Sequence, residues 1–113
     1  MRKRARILLA LTVVPVFASG MVRAQDARQG AKIAERLCAP CHAVKPGMIN
    51  RHPTAPRFED IPRRYSVWDL SEALAEGILV GHDAMPRFKL EPKEIRDLLT
   101  YMDSFAKPKP NAR

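Results

Sequence analysis

Several features are scarce or missing in this 113-residue chain. It has only two cysteines, so no disulfide framework can be built from it. A structural zinc site wants four ligands, usually as a second Cys or His pair at short spacing. His52 and His82 are isolated, so no such pair exists. No segment alternates apolar and polar residues as a strand would, and no internal repeat is visible. Aromatic residues are only 6% of the chain, and the basic residues are spread out among acids, so nothing argues for nucleic-acid binding. The longest apolar stretch, residues 7–18, is broken by Thr12 and Pro15. It is shorter than the roughly 20 residues of a comfortable membrane span.

That stretch has another reading. Arg2, Lys3, Arg4 and Arg6 precede it, and Val22-Arg23-Ala24 follows, with small residues at the two positions a signal peptidase inspects. This is the layout of a cleaved secretory leader over residues 1–24, with an uncleaved anchor as the alternative. The leader would carry five of the 20 Lys and Arg and no acid. The full chain's +8 then falls to +3 for residues 25–113, which divide into a domain over residues 25–107 and a frayed Pro-containing tail over residues 108–113. No membrane span is expected after cleavage.

The two cysteines fall in Cys38-Ala39-Pro40-Cys41-His42. Two cysteines three apart with histidine next is the attachment pattern for a c-type haem. The sulfurs would add as thioethers to the two haem vinyls, and His42 would lie under the iron as its fifth ligand. The rivals are a dithiol redox site, zinc and a structural disulfide. A thioredoxin-type dithiol needs a β-strand just before the first cysteine, and residues 31–37 look helical instead. A three-residue spacing on one helix gives poor disulfide geometry.

Three helices are predicted, so the fold class is all-α. The first covers residues 27–41, capped by Asp26, with Gly30, Ala34, Leu37, Cys38 and Cys41 on one stripe. Gly30 inside a helix suggests a close crossing with another backbone. The second starts at Ser66, with Asp69 three residues on in a capping-box-like arrangement, and ends at Gly77 or Gly81. The third runs from Pro92 to about Phe105, with Ile95, Leu98, Leu99, Met102 and Phe105 on one face. Between the first two lies a long loop, residues 43–65, carrying four prolines. A loop this long is uncommon in a compact domain unless it wraps a functional centre.

A haem with one axial histidine needs a second ligand or leaves a site open. Met85 is the leading candidate, in a turn-rich segment with Pro86 fixing the chain behind it. His82 competes, since imidazole also binds haem iron. Met48 is only six residues from His42, Met102 reads as core packing and His52 as a surface loop residue.

Taken together, these residues resemble the class I c-type cytochromes, small monohaem bacterial proteins, over residues 25–105. The resemblance implies the cytochrome c fold, with three main helices and a Pro-rich loop around one covalent haem c. It implies crossing of the first and last helices at Gly30 and Tyr101. It implies a proline whose carbonyl receives the Nδ1 proton of the axial histidine, here Pro56, with Pro53 as the alternative. Trp68 is a candidate contact for a haem propionate, as are Arg51, Arg63 and Arg64. The implied function is one-electron transfer in the periplasm of a Gram-negative bacterium, without catalysis of a substrate. A monomer would dock redox proteins transiently at the haem edge. A dedicated cytochrome subunit of a dehydrogenase or oxidase is the alternative, and a non-haem dithiol oxidoreductase a more distant one.

Overall fold

The computed structural model describes residues 25–77 and 84–106. The leader, His82, Gly81 and the tail lie outside those residues. Among the described residues four α-helices occur in the order α1 (Ala27–Leu37), α2 (Ile61–Arg64), α3 (Ser71–Glu76) and α4 (Pro92–Asp103), with a 3-10 turn, Val67–Leu70, leading into α3. No strand occurs among the described residues. The architecture is the all-α cytochrome c fold.

Helix α1 begins where Asp26 accepts from the amides of Arg28 and Gln29 through its carboxylate. It ends at Leu37, not at Cys41 as the spacing had predicted. Pro40 is the reason. It has no N–H to continue the ladder, and it pushes the residue before it out of helical geometry. The amides of Cys38 and Ala39 both turn back to the Ala34 carbonyl, at 2.9 Å each. The chain then winds through turns, with the His42 amide reaching Cys38 O at 2.9 Å. The haem motif therefore follows the helix rather than extending it.

The second predicted helix starts where expected, with the Ser66 hydroxyl accepting from the Trp68 amide at 3.3 Å. Its first turn is 3-10, and Gly77 closes α3 in the left-handed region at φ 71°. Helix α2 lies inside the segment read as loop. Pro62 is in its first turn, where a missing N–H costs nothing, so this proline of the expected loop starts a helix. In α4, the Glu91 amide donates to the Glu94 carboxylate at 3.1 Å.

Helices α1 and α4 cross at Gly30. A methyl group there would come within 2.8 Å of Tyr101 Cβ and still closer to the Asp97 carbonyl. The core forms behind this crossing, from Ile33 and Ala34 of α1, Ile95, Leu98, Leu99 and Met102 of α4, and Val44, Phe58, Ile61, Val67 and Leu74 from the segments between. The apolar face predicted for α4 is the buried one, and the Phe105 beyond it packs against the core half-buried.

Candidate functional site

A slot opens between the Cys38–His42 segment and the loop carrying Met85. It has two lobes. The front lobe is bounded by Leu37, Cys41, His52, Ala84, Pro86 and Phe88, and the deep lobe by Phe58, Ile61, Tyr65, Leu74, Leu98 and Met102. Cys38, His42 and Met85 line both lobes, so the two adjoin at these three residues. Its walls are overwhelmingly hydrocarbon.

His42 is buried, at 8% exposure, and its ring lies 5.8 Å from that of Phe58, tilted by 57°. Its Nδ1 is 2.7 Å from the Pro56 carbonyl oxygen. A carbonyl can only accept, so Nδ1 carries the proton and donates it. Nε2 then keeps its lone pair for a metal. Pro56, with no N–H of its own, is half-buried at this point.

No disulfide joins Cys38 and Cys41, and both are half-buried. Burial pushes the Cys38 thiol up to about 11, so the folded chain holds it protonated at neutral pH. A buried, neutral thiol facing an apolar slot is a poor reactive dithiol, which needs a lowered value. Among the described residues no group of three or more His, Cys, Asp or Glu is placed to hold a metal ion.

The slot suits a flat, apolar macrocycle that is ligated from its faces. Cys38 and Cys41 line the front lobe, and an oriented imidazole and a thioether line both lobes. Cys38 and Cys41 would hold the group covalently, and His42 and Met85 are positioned along the same cleft. Trp68 lies elsewhere. Its indole is 37% exposed on the 3-10 turn, and it lines neither lobe. Tyr65, not singled out in the sequence, lines the deep lobe instead. His52, expected on the surface, is half-buried, lines the front lobe and ties its amide to Cys41 O at 3.1 Å.

The loop carrying Met85 returns to the core through the Leu90 amide, which donates to Leu74 O at 2.9 Å. On the opposite side, the Tyr101 hydroxyl donates to Val44 O at 2.6 Å, fixing the strip of chain that follows His42. Sequence reasoning placed Tyr101 at the helix crossing but had no signal for this bond, because Val44 is 57 residues away. Among the described residues no helix is long and apolar enough to cross a membrane.

Known proteins resemble this chain over most of its length. A family model described as "Cytochrome C oxidase, cbb3-type, subunit III" matches residues 25–102. Cytochrome c-552 of Bradyrhizobium diazoefficiens is 34% identical over 96 residues, covering 85% of this chain and 90% of that protein. Cytochrome c6 of Nostoc sp. PCC 7120 is 30% identical over 98 residues, covering 85% of this chain and 86% of that protein. No solved structure matches at a significant level.

Proposed function

Since the chain belongs to the cytochrome c family described as cytochrome c oxidase, cbb3-type, subunit III, and is a haem-based electron carrier, we propose that it works in the periplasm of a Gram-negative bacterium with His42 and Met85 as axial ligands. The cofactor is haem c, covalently bound, and its iron supplies a one-electron ferric/ferrous couple. Everything else is done by the chain. Cys38 and Cys41 anchor the macrocycle through thioethers. His42 binds through Nε2 while Pro56 fixes its ring and tautomer. Met85 gives a soft thioether, which favours the reduced iron and raises the potential. The hydrocarbon walls of the slot exclude water, so little solvent must reorganise when charge changes.

The observation that carries the reading is the sharing of Cys38, His42 and Met85 by two adjoining apolar lobes. Redox partners dock transiently where the front lobe opens beside Cys41. The periplasmic assignment rests on the leader pattern of residues 1–24. Its check is mass spectrometry of a periplasmic extract, which should find a monomer beginning at Gln25.

The decisive experiment is spectroscopic. The chain, expressed with its leader in a host that attaches haem, should yield a covalent, low-spin protein. Met85→Ala should remove the far-red Met–iron band and lower the midpoint potential. A mutant that keeps that band and potential rules out Met85, and a protein without covalent haem rules out the whole reading. The family's description names an oxidase subunit, which favours one second reading, a cytochrome dedicated to a single oxidase. Stoichiometric co-purification with a large membrane partner would select it.

A further inference from the structure

Asn50 sits in the Pro-rich loop, outside every motif, yet both ends of its amide are used. Its Oδ1 accepts from the Ala43 amide at 2.6 Å, and its Nδ2 donates to the Ala55 carbonyl at 2.5 Å. Neither end of the amide can be swapped, because a backbone N–H only donates and a carbonyl only accepts. Ala43 is 1% exposed and Ala55 4%, so neither backbone group can turn to water instead.

The two residues that Asn50 ties are neighbours of the two that matter. Ala43 follows His42, and Ala55 precedes Pro56. The Phe58 amide closes the same frame from the other side, donating to Ala43 O at 3.0 Å. Between these ties lies the His42 Nδ1–Pro56 O hydrogen bond of 2.7 Å. Pro56 has no N–H through which a ladder could hold it, so its carbonyl is aimed only by what grips the residues around it.

We propose that Asn50 is a positioning residue for the iron ligand: its amide clamps Ala43 to Ala55 and so sets the His42–Pro56 hydrogen bond that tunes the haem. This rests on His42 being the axial ligand. A short bond to Nδ1–H puts electron density on the imidazole, makes it a stronger donor and favours ferric iron. Slackening the clamp lengthens that bond, weakens the donation and raises the potential. No other side-chain type supplies one donor and one acceptor at this reach. Leucine supplies neither, and a serine hydroxyl is too short to bridge both.

The test uses the haem-loaded, full chain with Asn50→Leu and Asn50→Ser. Asp97→Asn serves as a control that loosens the fold at the crossing of α1 and α4, where Asp97 lines neither lobe. Covalent haem is assayed first, by pyridine haemochrome. Its absence from the unsubstituted protein overturns the haem reading and this one with it, before any variant is compared. Three quantities are then measured: melting temperature, midpoint potential, and hydrogen exchange of the His42 Nδ1 proton by NMR of the ferrous protein. The expected result is a higher potential and roughly tenfold faster exchange in both Asn50 variants. Asp97→Asn should lower the melting temperature without moving either readout. Asn50 variants that melt earlier but keep the parent potential and exchange rate overturn the proposal, since Asn50 would then only stabilise the loop. If Asn50→Leu does not fold, Asn50→Ser decides alone.

Discussion

Asp97 is a carboxylate buried at the crossing of α1 and α4, and both its oxygens are occupied. Oδ1 accepts from the Asp26 amide at 2.9 Å and Oδ2 from Lys93 Nζ at 2.5 Å. Burial alone would push its carboxyl up; Lys93, the Asp26 amide and Arg96 outweigh that and hold it below the ordinary carboxylate range. The sign follows from linkage. The charged form is favoured in the folded chain, so the stabilisation is complete above the unfolded value of about 4 and disappears as pH falls through the lower folded value. Asp97→Asn should therefore cost about 1–3 kcal/mol at pH 7 and flatten the loss of stability on acidification. Thermal melts between pH 2 and pH 7 check both. Nothing in the sequence marked Asp97, which sits among the charges of an amphipathic helix and looks like any solvated acid. Its partner amide lies 71 residues away. His42 was legible because its role is written in the four residues before it, and Asn50 was not, because its two partners, seven residues before it and five after it, meet it only through the folding of the Pro-rich loop.

Elements were legible where local chemistry makes them. The Asp26 cap, the Ser66 start and the Gly77 stop are side-chain or backbone preferences that act within one turn. Boundaries were misread where proline was ambiguous. Pro40 ends α1 four residues early, and Pro62 begins α2 inside a supposed loop. Gly30 was readable as a crossing point, since a glycine inside a helix needs a reason. The crossing makes a strong prediction. Gly30→Ala drives a methyl group into the Asp97 carbonyl and to within 2.8 Å of Tyr101 Cβ, and both are parts of a helix rather than flexible tips. The expected loss is about 1–3 kcal/mol or more, as for other overpacked cores. A lower urea midpoint with an unchanged slope is the measurement. The far-red band should survive, because Gly30, Asp97 and Tyr101 line neither lobe that Met85 lines.

At the scale of the whole molecule, a short chain has surrounded a slot instead of filling it. Leu74, Leu98 and Met102 are core residues that also line the deep lobe, so the cofactor completes the core rather than decorating it. Small domains commonly need such a staple. Replacing both Cys38 and Cys41 by alanine removes the covalent hold. The haem-free product should show reduced far-UV helicity and no cooperative melt, whereas the loaded parent melts in one transition. A haem-free double mutant that melts as sharply as the parent would mean that the apolar core behind α1 and α4 suffices alone.

What the amino-acid order determined by itself was the chemistry carried by neighbouring residues. Cys38, Cys41 and His42 lie within one turn of chain, and helix caps and stripes repeat at fixed short intervals, so their geometry needs no distant partner. The tertiary structure decided everything that joins separated segments. It brought Pro56 to His42 and Met85 to the same cleft, tied Tyr101 to Val44, sealed Asp97 under Asp26, and spanned the loop with Asn50. The reason is that a hydrogen bond or packing contact between distant residues depends on how whole elements cross. The crossing at Gly30 is set by shape in three dimensions, not by spacing along the chain.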